Sequence, residues 1–455
     1  MISLEEMREI AKRYRDPTPV ILGSHSALDA MAGVRNYGMR GLVYTTKARA
    51  QIYLREPRVG KPNEEIDSLP PTVKRDLLIT EDIRDIVKKK GEWIEAILIL
   101  ERYDDILKKE NLDALIELEG IQIPNRAFAV YVGGELCRRI ENDFPVPIFG
   151  SRTLLKMEDR EGNPKNYYWY LEQAGVPHPK EFHYEVVEEG IKFPETLAQP
   201  LVLKVPHASR RFERGFIFAA DSNAMEEKVR KALQARYILH DDLKEGCVEE
   251  YVPGVTANFN FFYSVLNAEE DWGPIEKYEE RQKLANEFLS IDERRETTHD
   301  GILRMMAKDQ LQVDWSKTPY PESFEVTAHG IISLRESVLR MIYPVADAFL
   351  DATRKFDPPG VIGAYCVQTL ITFQKQPLVS AVSQGVYDSA GETLYDFIPK
   401  TQDIAVRHGG GTNVHQGIGS QYANTKYCKT MSMGDRIALE LVRARDQRKL
   451  DKIVT

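Results

Sequence analysis

Residues 401–420 combine residue types that are suited to phosphate or metal chemistry. The stretch reads TQDIAVRHGGGTNVHQGIGS and contains a carboxylate at Asp403, imidazoles at His408 and His415, and three consecutive glycines. Glycine lets backbone approach a phosphate closely, whereas carboxylate and imidazole ligands suit different metal ions. The stretch alone leaves three interpretations open: a flexible loop, a metal site or the floor of a nucleotide pocket.

A second candidate is the turn Gly23-Ser24-His25-Ser26, which follows an apolar run and precedes a helical pattern of apolar residues. Free N–H groups and the positive end of a helix dipole at such a turn suit an anion such as phosphate. The sequence equally fits a structural role, in which Ser24 or Ser26 caps the helix and His25 bonds the local backbone.

A lysine and two acids lie on predicted strands in the middle of the chain. Lys204 is the one charge within the apolar run of residues 201–205, and Glu249 and Glu250 end another strand just before a bend at Val252. The lysine could bind nucleotide phosphates, the acids could accept hydrogen bonds from ribose hydroxyls, and the bend could expose backbone to an adenine edge. The alternative for each is an exposed, solvated side chain.

The hydrophobic pattern predicts the elements that would position these candidates. Short apolar runs predict strands at residues 19–22, 41–46, 96–100, 114–118 and 146–149, and the first two form a βαβ unit. We therefore predict an open α/β sheet over residues 1–150. After Gly150, the stretch NYYWYLEQAGVPHP predicts a helix that ends at a glycine.

Composition limits the function classes. A chain of 455 residues with 42% apolar residues can bury a large core over two or three domains. Its formal charge of −9 argues against sequence-independent binding of nucleic acid. The four cysteines are widely spaced, which fits a reducing compartment rather than a disulfide framework or a zinc ribbon. We see neither a signal peptide nor an apolar run of about 18 residues, so we expect a cytoplasmic protein without a membrane span.

Longer blocks run in a distinctive order along almost the whole chain. They are ILGSHSALD, FGSRTLLKMED, LVLKVP, VEEYVPG with FFYS, IDERRETTHDGILRMMAKDQL, LRES, CVQTL, GGGTN and SMGDRIALE. In these blocks the chain resembles the archaeal PurP family, the formate-dependent synthetases of formaminoimidazole-carboxamide ribonucleotide in purine biosynthesis. The AKDQL block at residues 307–311 and SMGDRIA at 432–438 have no generic explanation, so the resemblance is specific.

The resemblance implies an α/β protein with the ATP-grasp fold. It implies an N-terminal Rossmann-like open-sheet domain at residues 1–150 and an ATP-grasp domain at 151–455, with a lid over 180–255 and a catalytic part over 256–455. It also implies a ligase reaction, in which ATP activates formate as formyl phosphate and the amine of aminoimidazole-carboxamide ribonucleotide attacks it. The implied partners are these small molecules and Mg²⁺ or Mn²⁺, with neither nucleic acid nor membrane, and a homo-oligomer is left open.

Carried over by position, the resemblance assigns roles to individual residues. Lys204 and Arg294 would act in catalysis, with the lysine on the ATP phosphates and the arginine on the substrate and formate side. Gln368 and Asp403 would bind the metal ion. The other assigned residues are Ser24, His25, Thr412 and Asn413 for the substrates, and Glu249, Glu250 and Val252 for the nucleotide.

The chain departs from the family pattern beside the predicted chemistry. The glycine-rich loop after the strand lysine is replaced by HASRRFER, in which Arg210, Arg211 and Arg214 either replace the lost backbone donors on the nucleotide or form a solvated charge run. Ala127 stands where the family has a serine that contacts the substrate.

An insertion, GVYDSAGETLYDFIPK, lies between Gln368 and Asp403. Its alternating pattern predicts a hairpin around residues 390–391. Because the insertion shifts the register, Asp396 and Asp388 are alternatives to Asp403 as the metal carboxylate.

Two classes of function remain. The first is an active ATP-dependent ligase, either the formate-using synthetase or a paralogue that joins another small carboxylate to another amine. The second is a nucleotide-binding or interaction protein that keeps the fold without catalysis, since the departures lie at the phosphate loop and the substrate turn.

Overall fold

The computed structural model describes residues 1–24, 26–55, 77–160, 162–205, 215–270, 283–314, 317–319, 324, 326–377 and 393–455. Three larger sheets and one two-stranded ribbon follow one another along the chain. Within these ranges, none of the helices is both long and apolar enough to cross a membrane.

The first sheet is parallel and has the strand order β3-β4-β2-β1-β5. Its strands are β1 (Thr18–Leu22), β2 (Gly41–Thr46), β3 (Leu77–Thr80), β4 (Glu95–Leu100) and β5 (Gly120–Ile123). β1 is buried along its whole length, as expected for a strand with helices on both faces of the sheet. The predicted βαβ unit at residues 19–46 is therefore confirmed.

Two of the predicted strands in this region are wrong. Residues 114–118 lie mostly in the helix Lys109–Glu117, where Leu112 and Leu115 are buried at helical spacing, so the apolar run is the buried face of a helix and not a strand. Residues 146–149 form only isolated bridges, from Ile148 to Gln122 and from Phe149 to Val454. Pro145 precedes this run and Pro147 lies within it, and proline cannot donate to a β-ladder.

The second sheet is antiparallel and has the strand order β10-β9-β11-β6. The strands of this part of the chain are β6 (Glu181–Phe182), β7 (Glu185–Val187), β8 (Gly190–Lys192), β9 (Leu201–Val205), β10 (Gly215–Ala219) and β11 (Cys247–Glu250), of which β7 and β8 form the ribbon. The predicted strand at residues 201–205 is β9. The strands lie within the range proposed for the lid, and the domain limits themselves stay a proposal.

The third sheet is antiparallel, with the strand order β14-β13-β12-β15-β16. Its strands are β12 (Val255–Tyr263), β13 (Asn286–Glu296), β14 (Val326–Ile331), β15 (Gly363–Pro377) and β16 (Thr393–Ala405). β15 and β16 pair from Cys366 and Ala405 out to Pro377 and Thr393. The turn of the predicted hairpin, at residues 390–391, lies outside the described residues.

Helices cover the sheets and join the two ends of the chain. The α-helices are Leu4–Arg13, Ala27–Asn36, Gln51–Arg55, Ile83–Lys88, Lys109–Glu117, Arg126–Tyr131, Arg138–Asp143, Tyr167–Ala174, Ser222–Gln234, Val265–Glu269, His299–Ile302, Ala307–Gln310, Glu336–Phe356, Gln421–Tyr427 and Met433–Asp446. The helices Ala27–Asn36 and Met433–Asp446 cross at Gly33 and Gly434, where an added Cβ would clash with the backbone of the facing helix. This crossing holds the C-terminal helix against the first sheet, within one continuous core.

Candidate active site

Lys204 and Glu249 form a buried ion pair in the second sheet. Lys204 lies on β9 and Glu249 on the neighbouring β11, and the Lys204 Nζ lies 2.6 Å from Glu249 Oε2. The guanidinium of Arg160, from the segment before the helix Tyr167–Ala174, binds the other oxygen of the same carboxylate. Burial alone would raise the pKa of Glu249, but the two cations lower that pKa to about 2. Glu249 is therefore ionised at neutral pH and holds both cations in place.

Lys204 and Arg160 line a cleft of about 300 Å³. The lining residues are Arg160, Pro164, Asn166, Tyr168, Trp169, Glu172, Glu181, Lys204, Val205, Glu245, Gly246 and Cys247. The Arg160 guanidinium lies over the Tyr168 ring, 4.3 Å from its centroid. Lys204 and Arg160 are the two cations of this cleft that could donate to an anionic ligand such as a polyphosphate, and Glu172, Glu181 and Glu245 also line it.

Three possible metal ligands also meet in this cleft. The ligand atoms of Glu181, Cys247 and Glu249 lie within 4.8 Å of one another. Arg160 already contacts both carboxylates, and burial raises the pKa of the Cys247 thiol. A metal cation would have to displace these bound cations, so the chemistry of the cluster disfavours a metal here.

The side chain of Glu250 points away from that of Glu249, because side chains alternate along a strand. Glu250 contacts the ammonium of Lys400 on β16, and its Oε1 accepts a hydrogen bond from the backbone N–H of Lys180 at 3.1 Å. Val252, at the bend that follows, is buried. Glu249 is thus the acid that binds Lys204, and Glu250 connects the second sheet to the third.

The third sheet brings together the predicted metal ligands and the predicted catalytic arginine. Gln368 on β15 and Asp403 on β16 are directly paired across the two strands. The Arg294 guanidinium on β13 donates to Gln368 Oε1 and lies 3.5 Å from Asp403 Oδ2. Three residues that are far apart in sequence therefore meet on one face of the sheet.

A buried carboxylate that the sequence analysis missed lies next to this group. Asp292 on β13 is fully buried and accepts hydrogen bonds from the side-chain amides of Asn258, at 2.8 Å, and Asn260, at 2.7 Å. His329 Nδ1 lies 2.9 Å from the same carboxylate. A Cβ at Gly411 would clash with Asp292. Residue 411 must therefore be glycine to leave room for the Asp292 carboxylate. This requirement differs from the predicted one, in which glycine lets backbone approach a phosphate.

Contacts between the sheets place the two groups of residues close together. Lys400, which binds Glu250, precedes Asp403 by three residues on β16. The Arg407 guanidinium donates two hydrogen bonds, at 2.9 and 2.8 Å, to Glu158, which precedes Arg160 by two residues. The Lys204 cleft and the Arg294 group therefore flank the same stretch of β16 and its C-terminal extension.

The residues after β16 turn toward the first sheet. His408 Nε2 lies 3.1 Å from both Asp29 Oδ2 and Thr412 Oγ1, and all three residues are buried. Burial lowers the pKa of His415, which favours its neutral imidazole. Among the described residues, the only cluster with metal-ligand spacing is the one at Glu181, so the structure gives no support to a metal site at His408 and His415.

The predicted substrate turn lies at the carboxyl end of β1, where open α/β sheets bind ligands. The hydroxyl of Tyr53 donates to the Ser24 carbonyl, and that of Tyr103 donates to the Gly23 carbonyl, both at 3.0 Å. The hydroxyl of Ser26 makes no capping hydrogen bond to the helix it precedes, so the capping alternative is not supported at this residue. His25 lies outside the described residues, as does Arg210 of the altered loop.

Two family models and several curated proteins match the chain. A model described as "Domain of unknown function (DUF1297)" matches residues 224–455, and one described as "Protein of unknown function (DUF1246)" matches residues 20–182. The 5-formaminoimidazole-4-carboxamide-1-(beta)-D-ribofuranosyl 5'-monophosphate synthetase of Methanopyrus kandleri is 30% identical over 457 aligned positions, which cover all of both chains. The chain belongs to this family of synthetases. A synthetase of the same name from Methanothermobacter thermautotrophicus is 26% identical and is matched over 99% of its length.

The fold agrees with this synthetase family. The crystal structure of an IMP biosynthesis protein PurP from Thermococcus kodakaraensis aligns with 96% of this chain and all of that chain, with a TM-score of 0.56 and 22% identity. The protein thus has the predicted ATP-grasp fold, with an N-terminal parallel sheet, and belongs to a family of ATP-dependent carbon–nitrogen ligases.

The strand register bears on which acid of this synthetase would bind a metal ion. Asp403 pairs directly with Gln368, whereas Asp396 pairs with Gln374, six residues farther along β15. Six residues of strand correspond to roughly 20 Å, so the backbone of Asp396 is remote from Gln368. Asp388 lies outside the described residues. The register supports Asp403, whose role stays a prediction.

The family departure at Ala127 has a clear structural setting. Ala127 is buried in the first turn of the helix Arg126–Tyr131, which is capped by Asn125. The Asn125 Oδ1 accepts from the Phe128 N–H at 2.9 Å, and its Nδ2 donates to the Leu22 carbonyl at 2.8 Å. The turn is therefore held by Asn125 against the end of β1, without a hydroxyl at residue 127.

Proposed function

We propose that this protein is an ATP-dependent ligase that formylates aminoimidazole-carboxamide ribonucleotide with formate in purine biosynthesis. The observation that carries the proposal is the match to a curated synthetase over the whole of both chains. The arrangement of Arg294, Gln368 and Asp403 supports an active enzyme rather than a non-catalytic relative, because the Arg294 guanidinium contacts both of the predicted metal ligands.

In this proposal a formate oxygen attacks the γ-phosphorus of ATP and displaces ADP. The amine nitrogen then attacks the carbon of formyl phosphate, loses its proton, and displaces inorganic phosphate. The protein contributes position and charge, and neither step needs a covalent protein nucleophile. Lys204 and Arg160 would bind the nucleotide phosphates, while Glu249 would hold both cations in a fixed geometry.

Arg294 would bind formate and then the acyl phosphate that replaces it. A guanidinium presents a planar set of donors that matches a carboxylate or a phosphate. The ribonucleotide would bind at the end of β1 beside Ser24, with His25 as a further predicted contact, and Thr412 and Asn413 would border it from the other side. His408 connects these parts, because it contacts both Asp29 in the first helix after the turn and Thr412.

Family membership implies ATP and a divalent metal ion as co-reactants, and we propose magnesium or manganese held by Gln368 and Asp403. The donor set fits, because it consists of hard oxygen atoms, and a further buried oxygen beside it, Asn258 Oδ1, has no hydrogen-bond donor among the described residues. When bound, such an ion neutralises charge on the phosphates during transfer. The proposed compartment is the cytoplasm.

The test is a coupled assay of ADP release with formate and aminoimidazole-carboxamide ribonucleotide, with the product identified by mass spectrometry. We expect ADP and a product heavier by one formyl group in place of one hydrogen. The Lys204→Met and Asp403→Asn variants should lose at least ~100-fold in rate. ADP release with another carboxylate or amine, and none with this pair, would indicate a paralogue. No turnover with any pair in a panel, despite nucleotide binding, would indicate the non-catalytic alternative.

A further inference from the structure

We propose that Asn258 supplies a third oxygen to the divalent cation, directly or through one metal-bound water. The inference rests on the proposed function, because it assumes that Gln368 and Asp403 hold the cation. Asn258 was not among the residues assigned from the sequence. It lies in VTANFNFFY, the apolar central strand β12, where an asparagine has no obvious role in packing.

The strand register places Asn258 beside both predicted ligands. Asn258 pairs with Gln368 on β15, and Gln368 pairs with Asp403 on β16. On its other side, Asn258 pairs with Asp292 on β13. Directly paired residues project from the same face of a sheet, with Cβ atoms about 5 Å apart. Four oxygen-bearing side chains therefore form one row across four adjacent strands.

The amide of Asn258 has a fixed direction within this row. Its Nδ2 donates to Asp292 Oδ2 at 2.8 Å, and a carboxylate can accept but not donate when ionised. Because Nδ2 takes the side that faces Asp292, the Oδ1 atom of the amide is turned away from that carboxylate. Asn258 is 4% exposed, and in the described part of the chain no donor reaches its Oδ1.

A buried acceptor without a donor destabilises the folded state by roughly 1–3 kcal/mol. The presence of such an acceptor beside the two predicted oxygen ligands therefore needs a reason. Arg294 does not remove this cost, because its donors reach Gln368 and Asp403. A divalent cation, or a water in its shell, would satisfy Asn258 Oδ1 without adding a second charge to the ligand set. Amide and carboxylate oxygens together suit Mg²⁺ and Mn²⁺.

The neighbouring Asn260 provides a matched control. It lies on the same strand, is 2% exposed, and also donates to Asp292, at 2.7 Å. However, it pairs with Cys366 and Ser290, not with Gln368. Replacing either asparagine removes one hydrogen bond to Asp292, but only the change at residue 258 removes an oxygen next to Gln368.

The experiment measures Mn²⁺ binding by electron paramagnetic resonance in the presence of saturating ADP, which reads free Mn²⁺ without catalysis. We expect Asn258→Leu to weaken Mn²⁺ binding at least ~10-fold and Asn260→Leu to change it less than ~3-fold. Asn258→Asp should keep or tighten Mn²⁺ binding. Mn²⁺ should also raise the melting temperature of this variant more than that of the wild type, since the cation would then lie between the carboxylates at positions 258 and 403 and offset their repulsion. This variant keeps the test decisive if Asn258→Leu does not fold.

Equal weakening by the two leucine variants would refute the inference, because the effect would then come through Asp292. Unchanged binding in Asn258→Leu, or no metal-dependent stabilisation of Asn258→Asp, would also refute it. Asp403→Asn separates this failure from that of the proposed function. If Asp403→Asn weakens Mn²⁺ binding and Asn258→Leu does not, only the third ligand is wrong. If Asp403→Asn has no effect either, the proposed metal site is wrong as well.

Discussion

The buried carboxylate of Glu249 should make the second sheet sensitive to acid. Glu249 is 1% exposed, and its charge is balanced by Lys204 and Arg160. Replacing it by glutamine keeps the size and an acceptor oxygen but removes the charge. Lys204 and Arg160 would then lose the buried carboxylate they share. Removing one partner of a buried ion pair is strongly destabilising, because it leaves the other charge buried without compensation.

The size of the effect follows from the pKa of Glu249. Folding lowers this pKa from its ordinary value of 4.5 to about 2, a difference of about 2.5. Each pKa unit corresponds to about 1.4 kcal/mol, so ionised Glu249 stabilises the folded state by roughly 3 kcal/mol at pH 7. Because the folded pKa is the lower one, this stabilisation is complete above pH 4.5 and is lost as the pH falls toward 2. About 1 kcal/mol would remain at pH 3.

The assay is pulsed hydrogen exchange along a urea titration at pH 7 and pH 3, read by mass spectrometry of peptides that cover β9 and β11. The difference in unfolding free energy between wild type and Glu249→Gln should be about 2 kcal/mol larger at pH 7 than at pH 3. Glu181→Gln is the control, because Glu181 contacts Arg160 from a half-exposed position, where an ion pair contributes less than about 1 kcal/mol. If the difference in unfolding free energy between wild type and Glu249→Gln were the same at pH 7 and pH 3, the reasoning would be refuted.

Two further predictions concern the residues after β16. In thermal unfolding, Gly411→Ala should destabilise the protein by roughly 1–3 kcal/mol, because the added Cβ would clash with Asp292. Gly409→Ala is the control and should be neutral in the same experiment, because its added Cβ would meet no atom within 4 Å. His408→Ile should cost roughly 1–3 kcal/mol, since it removes an imidazole that contacts the buried Asp29 carboxylate, and an unchanged melting temperature would contradict this role.

The sequence was most informative where one local signal decides the structure. The runs at residues 41–46 and 201–205 have the bounds of β2 and β9, because a short apolar run between breakers has few other structures to adopt. The strand predicted at residues 114–118 failed because ALIEL has no alternation to separate a buried strand from a helical face. The bridges at residues 146–149 depend on Val454, which is remote in sequence.

The candidate site was predicted only in part, since long-range pairing determines the rest. Gln368 and Asp403 were assigned through family motifs, and their direct pairing depends on the register of two long strands across an insertion. Arg160 does have a signal in the sequence, since it is a cation in MEDRE just before an aromatic helix. Asp292 and Asn258 gave no separate signal, because each looks like an ordinary polar residue in a strand until the sheet aligns them.

Arg294 connects these observations in one physical argument. Its guanidinium binds Gln368 and Asp403, the two oxygen ligands proposed for a divalent cation. A lone pair that coordinates a cation is not available to an N–H donor at the same time, and two positive charges so close repel each other. A bound cation would therefore shift Arg294 off this pair and make its donors available to an anion. The residues proposed to hold the metal and the residue proposed to hold formate would thus be coupled by competition for the same oxygens. Such coupling would explain why a carboxylate and an arginine from distant strands converge on one glutamine.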